Sequence, residues 1–409
     1  MNTTNLVNTM TTKKKINVVD CTLREGMQTP GIDLTQQEML DIVLKLDKAG
    51  VTLIDAGMPA AGKEIQDFLK AAIKLNTKLK IGGSVRCNLN EVKAAIDCGL
   101  QSVFLICPIS DIHLNSRLNM TLEFLCEELE CCMALLNQHG IDIEIAAEDA
   151  SRASLGNLTT LFETAIKGGA QRIYLADTVG YAKPSEYRAL IRNSLRMAAG
   201  RIEVGVHCHN DLGMATANTV MAIEEGVTWP TVTVNGIGER AGNASFIEVV
   251  TATAGPLNCN TDIQFKYLPE LSSAVEKATG FIVPPNYPIV GQNAFRHESG
   301  IHVDGLLKSP QNYEAVDPAM FGLARNLVLG KQSGRAHIRA ILDRKKLRYV
   351  ESDIDLILGR IKEQCQKMDM GTIHNIHLLL KDLIRRNNII TEDQLDAMVG
   401  EVLMQRIAA

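Results

Sequence analysis

The sequence predicts a (β/α)8 barrel over residues 16–282, then a linker subdomain over 283–332 and a helical C-terminal subdomain over 333–409. Three observations lead there. Short β-branched or aliphatic runs recur eight times between residues 16 and 238. Helix-like stretches separate them. Charged and polar residues gather where the runs end. Strands alternating with helices imply parallel βαβ units, and residues 16–255 match the about 250 residues usual for a TIM barrel built from eight of them. An open doubly wound sheet is the alternative, weakened by the lack of an early phosphate-binding turn.

The strand candidates are INVVD (16–20), VTLIDAG (51–57), LKIGGSV (79–85), SVFLIC (102–107), DIEIAAE (142–148), RIYLAD (172–177), IEVGVHCH (202–209) and TVTVNGIG (231–238). Between the first two, Met39, Ile42, Val43 and Leu46 recur at helical spacing in residues 35–50. The helices are expected to close on Gly50, Gly99, Gly140, Gly168, Gly200 and Gly226, because a C-cap favours the left-handed conformation. After residue 257 the rhythm changes. The proline-rich VPPNYP (283–288) cannot be regular helix or inner strand. Residues 291–322 are polar and turn-rich, and helical periodicity returns in AHIRAIL and DQLDAMVGEVLMQRI. Residues 1–15 read as a polar, frayed tail.

Composition narrows the function classes. The chain has 409 residues, a net charge of −5, 46% hydrophobic and 22% charged residues, and no basic run longer than Lys13-Lys14-Lys15. Nothing in that balance draws it to nucleic acid or a membrane surface. No run of about 18 apolar residues occurs, and the N-terminus lacks a signal-peptide core. Ten cysteines without a CxxC pair suit buried thiols in a reducing compartment. The expected location is the cytoplasm.

On such a barrel, chemistry belongs at the C-terminal strand ends. Arg24 and Glu25 follow the first run, Arg86 the third, Glu148 and Asp149 the fifth, and Asp177 and Thr178 the sixth. His207, His209, Asn210 and Asp211 end the seventh; Asn235, Glu239, Arg240 and Asn243 follow the eighth. The N-terminal strand ends show no comparable series. His207 and His209 lie two apart on a strand, so both face the interior and form a pair of candidate metal ligands. Glu25 is the best-placed third ligand, and Asp20, deeper in its strand, competes. Nitrogen and carboxylate ligands with open positions suit Zn²⁺, Mn²⁺ or Mg²⁺ acting as a Lewis acid. GIGERAGN (236–243) has the wrong glycine spacing and position for a dinucleotide turn. HESGIH (297–302), taken alone, reads as an exposed loop.

VDCTLREGMQ, HCHNDLGMATAN, GIGERAGN and RHESGIHVDGLLK, in that order across about residues 16–335, resemble the homocitrate synthase and 2-isopropylmalate synthase family of Claisen-condensing metal-dependent barrels. The resemblance implies one divalent metal held by Glu25, His207 and His209, with Asn243 as a further ligand position. It implies that Arg24 steadies developing oxyanion charge and that His302 is a catalytic histidine reaching the other subunit of a domain-swapped homodimer. Glu148, Thr178 and Tyr313 match positions near substrate, and Gln28 and Arg86 join them as substrate-binding candidates. The activity implied is condensation of acetyl-CoA, as co-substrate, with a 2-oxo acid. GMPAAG and PISDIH lean to 2-oxoglutarate and a homocitrate product; an isopropylmalate-, citrate- or other alkylmalate-forming enzyme, or a metal-dependent carbon–carbon lyase, is the alternative. Met27 and Asn88 depart from the family pattern, Asn88 standing where lysine-pathway homocitrate synthases often carry histidine.

Overall fold

The structure is a computed structural model that describes residues 13–365 and a few positions between 371 and 399. The N-terminal tail to residue 12 and most of the predicted terminal helical stretch lie outside the described residues. Eight strands close a barrel: β1 (Val19–Asp20), β2 (Leu53–Asp55), β3 (Lys80–Arg86), β4 (Ser102–Pro108), β5 (Asp142–Glu148), β6 (Arg172–Asp177), β7 (Glu203–Cys208) and β8 (Trp229–Val232). Every neighbouring pair is parallel, and β1 pairs with both β2 and β8 to complete the ring.

Two strands differ from their predicted runs. INVVD divides: Lys15–Ile16 pairs with Asn260–Thr261 outside the barrel, and only Val19–Asp20 enters the ring. The eighth strand lies over 229–232, with β7 pairing Gly205 to Trp229 and Val206 to Pro230. It cannot run on to residue 238 because Val234–Gly236 forms a 3-10 turn in which Asn235 takes a left-handed φ of 59°.

The outer layer consists of α1 (Gln36–Ala49), α2 (Lys63–Ile73), α3 (Leu89–Asp97), α4 (Leu122–Gln138), α5 (Leu155–Lys167), α6 (Pro184–Ala198), α7 (Ala215–Glu225) and α8 (Phe246–Ala254). Thr35 and Glu38 form a capping box on α1, whose Met39, Ile42, Val43 and Leu46 are buried against the barrel. Gly50 ends α1 with φ 85°, as expected. Gly168 does not: it remains right-handed at φ −76°, and Gly169 beside it takes φ 77°. Either glycine can supply the turn, so the sequence cannot choose between them.

The N-terminal floor is more charged than its sequence pattern suggested. Glu144, fully buried, accepts from both Arg172 Nε (2.7 Å) and Nη2 (2.5 Å) and from Ser102 Oγ (2.8 Å). The Arg172 guanidinium lies 4.0 Å from the Trp229 ring centroid. Four strands thus contribute one neutralised plug, which suits a buried pair whose hydrogen bonds are satisfied. The signal was missed because Glu144 and Arg172 sit inside their strands rather than before them.

Beyond the barrel, α9 (Leu268–Thr279) leads through irregular backbone to α10 (Gly300–Lys308), α11 (Arg335–Arg344) and α12 (Glu351–Cys365). Arg296–His297 pairs with Asn326–Leu327 in a small parallel sheet beside α10. Ile338, Ile354 and Leu358 form a separate small core. Among the described residues, no helix is long and apolar enough to cross a membrane.

Candidate metal and substrate site

The barrel mouth opens into a cavity of ≈ 320 Å³. Arg24, Glu25, Gln28, Arg86, Glu148, Thr178, His207 and His209, all named from the sequence, line it. Strand alternation explains the histidines. His207 in β7 and His209 just beyond it face inward, while Cys208 between them is buried outside the cavity. Glu25 reaches them because the chain leaves β1 in a tight turn, with the backbone N–H of Glu25 donating to Cys21 O (2.8 Å).

Glu25, His207 and His209 each place one donor atom within 4.8 Å of the other two. His207 Nε2 is 3.3 Å from His209 Nε2, Glu25 Oε2 is 3.7 Å from His207 and Glu25 Oε1 is 3.5 Å from His209. Ligands at about 2.0–2.2 Å from one cation are separated by such distances. Asn243 closes the fourth side: its Nδ2 donates to His207 Nε2 (3.2 Å), and its buried Oδ1 has no partner. Burial, then His209, then Arg24 hold His207 well below the usual imidazole value. Burial, with Arg240 and Arg24, lowers His209 to about 4. Both rings are therefore neutral near pH 7, the form that binds a metal. The donor set, the orphaned amide oxygen and the neutral rings fit a divalent cation. Asp20, the competing carboxylate, accepts from Thr22 N (2.9 Å) and Thr22 Oγ1 (2.8 Å), and burial raises it to about 7.

Around this cluster the charges are paired. Arg24 donates from Nε to Asp55 Oδ2 (2.6 Å) and contacts Glu25 Oε2 through Nη1. Ser84 Oγ donates to the same Asp55 oxygen (2.7 Å). Arg24 and Glu25 therefore touch each other rather than diverging from the strand end. Arg86 lines the cavity while its Nε donates to Glu91 Oε1 (2.5 Å). Glu148 Oε1 accepts from Arg117 Nη1 (2.5 Å), lies 3.6 Å from His113 Nδ1, and leaves Oε2 buried without a partner. Thr178 Oγ1 accepts from Asp149 N (2.9 Å). Arg240 forks onto Asp211 (2.7 and 2.8 Å).

His302 and Tyr313 are elsewhere. They stack with centroids 4.3 Å apart at 25°, both exposed, and neither lines the cavity of its own barrel. Glu314, beside Tyr313, is fixed by Arg325 (2.6 and 2.5 Å) and His297 (3.2 Å). Asn88 caps α3 by accepting from Asn90 N and Glu91 N. Met27 packs against the barrel core. Sequence reasoning missed Asp55, Ser84, Arg117 and Thr231, which also line the cavity; an aspartate closing VTLID was the one signal available.

Residues 15–275 match the HMGL-like family, and residues 289–369 match the homocitrate synthase post-HMGL domain-like family. A probable 2-isopropylmalate synthase of Ignicoccus hospitalis is 40% identical over 96% of this chain and 94% of its own length. An (R)-citramalate synthase of Methanocaldococcus jannaschii is 40% identical over 85% of this chain and 70% of its own. The 2-isopropylmalate synthase of Saccharolobus solfataricus is 38% identical over 88% and 94%. Among solved structures, an HMG-CoA lyase from Bacillus subtilis superposes with a TM-score of 0.60 at 18% identity, covering 66% of this chain and 96% of that one, a likeness of fold. With a matching barrel, a matching following domain and relatives over nearly its whole length, the chain belongs to the HMGL-like family, in its homocitrate synthase and 2-isopropylmalate synthase group.

Proposed function

We propose that this protein is an acyltransferase that condenses acetyl-CoA with a 2-oxo acid and hydrolyses the thioester to release CoA. The observation that carries this reading is the convergence of Glu25, His207 and His209 beside Arg24 at the barrel mouth. Those three residues, with Asn243 adjacent, would hold the divalent cation (Zn²⁺, Mn²⁺ or Mg²⁺). When bound, it supplies Lewis-acid polarisation of the oxo acid's carbonyl. Arg24, aimed by Asp55, stabilises the alkoxide formed as the new carbon–carbon bond closes. Glu148 offers its free Oε2 for the proton relay from the acetyl methyl. His302 and Tyr313 complete that relay from the arm of a second copy in a domain-swapped homodimer, since neither lines its own chain's cavity. Gln28, Arg86 and Thr178 line the path by which substrate reaches the centre.

The names of the relatives favour a substituent smaller than the carboxyethyl arm that 2-oxoglutarate would bring. 2-Isopropylmalate carries an isopropyl group at that carbon, and citramalate carries a methyl group. The cavity agrees: Arg24, Arg86 and Arg117 each already meet a carboxylate, and Phe104, Ile106, Ala146 and Ala176 supply apolar wall. A branched or short monocarboxylic 2-oxo acid is thus the better reading, with homocitrate formation second.

A panel of 2-oxo acids, each with acetyl-CoA and divalent metal, monitored for free thiol, tests both levels. Turnover with 3-methyl-2-oxobutanoate or pyruvate well above 2-oxoglutarate is expected. No thiol from any member, together with cleavage of a 3-hydroxyacyl-CoA, would instead make the protein a carbon–carbon lyase.

A further inference from the structure

We propose that Thr231 is a positioning residue that fixes the tautomer of His207, so that the Nε2 lone pair of that ring faces the cation. This rests on the metal-site reading above. A neutral imidazole carries one N–H, and only the bare nitrogen can bind metal. His207 Nδ1 lies 2.8 Å from Thr231 Oγ1, a hydroxyl able to donate or accept. The opposite side of the ring points to the direction. His207 Nε2 lies 3.2 Å from Asn243 Nδ2, a group that can only donate, and 3.3 Å from His209 Nε2, which favours Nε2 as the acceptor. The ring proton therefore sits on Nδ1, and Thr231 accepts it.

The barrel register places the hydroxyl there. β7 and β8 pair Gly205 with Trp229 and Val206 with Pro230, which brings His207 level with Thr231. Both side chains line the cavity, and Thr231 is only 4% exposed, so no solvent molecule substitutes readily for its oxygen. A β-branched side chain in a strand has few rotamers, which holds the oxygen still. His209 has no such support: its Nδ1 is buried without a partner. Of the two imidazoles, only His207 has its outward nitrogen held by another side chain, so the orientation of the pair depends on Thr231.

Outer partners of this type typically change metal affinity by about 10–100-fold. Thr231→Val keeps the shape and removes the acceptor; Thr231→Ser keeps the acceptor. Each full-length protein, stripped of metal and without substrate, is titrated with Zn²⁺ against a zinc-binding chromophore. Thr231→Val should bind about 10–100-fold more weakly, and Thr231→Ser should stay close to wild type. Long-range ¹H–¹⁵N spectra of histidine-labelled, metal-free wild type, assigned with His207→Gln, should show the Nδ1–H form at His207. That measurement needs no folded Thr231 variant. Wild-type affinity in Thr231→Val, or an Nε2–H ring in wild type, overturns the inference and leaves the metal site standing. A wild type that binds no Zn²⁺ overturns the metal site and this inference with it.

Discussion

Asp55 holds Arg24 Nε at 2.6 Å while Ser84 holds the same carboxylate oxygen at 2.7 Å, so the guanidinium is aimed before substrate arrives. Asp55→Asn should therefore spare the cation and lower turnover by about 10²-fold, the cost of a catalytic group displaced by about an ångström. Glu25→Gln should weaken the cation and be partly rescued by excess metal. Parallel metal titration and thiol release separate the two; equal loss of metal in both would reduce Arg24, Glu25 and Asp55 to an ion-pair network that only shapes the mouth. The histidines bear on acid stability. His209 titrates near 4 when folded and about 6.5 when unfolded, and His207 is also depressed. The unfolded chain thus binds more protons at these rings as pH falls from about 6.5 to 4, and their contribution to stability, complete above about 6.5, is lost across that window. Asp20, raised to about 7, works in the other sense, its folded form taking up the proton first. Two rings outweigh one carboxyl. Denaturation midpoints of metal-free protein should fall between pH 7 and pH 5, and should fall less in His209→Gln. These histidines were legible because a strand's alternation alone puts both on one side. Asp55 and Thr231 were not, because their partners are set by register and turn geometry across other strands.

At the scale of elements, helices were legible from apolar spacing and caps, and their ends less so. Gly50 shows why one glycine matters. It holds φ 85°, and a β-carbon there would press on the backbone carbonyl of Asp262. Gly50→Ala should cost at least about 1–2 kcal/mol, the left-handed penalty alone, read as a lower urea midpoint at unchanged slope. Gly168 and Gly169 divide that task in a way no local signal reveals, since either fits the turn. The eighth strand was displaced in the sequence reading because TVTVNGIG continues the β pattern past Val232, and only the left-handed Asn235 stops it. That stop also shapes the candidate site. It turns the chain so that Asn243 returns to pair with His209 and face His207.

For the whole molecule, the proposal that His302 and Tyr313 act on the barrel of a second copy has a direct test. We expect Glu25→Gln and His302→Ala chains, each inactive alone, to recover part of the activity when refolded together, because one barrel of each heterodimer would carry an intact set. Exchange demonstrated without recovery would mean that each chain builds its own site. The arm was legible only through resemblance, since HESGIH lies far along the chain from the barrel strands. The plug of Glu144, Arg172 and Trp229 sets paired charge at the N-terminal end of the barrel, opposite the cavity at the mouth. On the proposed function, an oxo acid held by Glu25, His207 and His209 would enter before the bulkier thioester, and the product acid would leave after CoA. Such an order predicts product inhibition that is competitive only between the oxo acid and the product acid, read from initial rates with both varied.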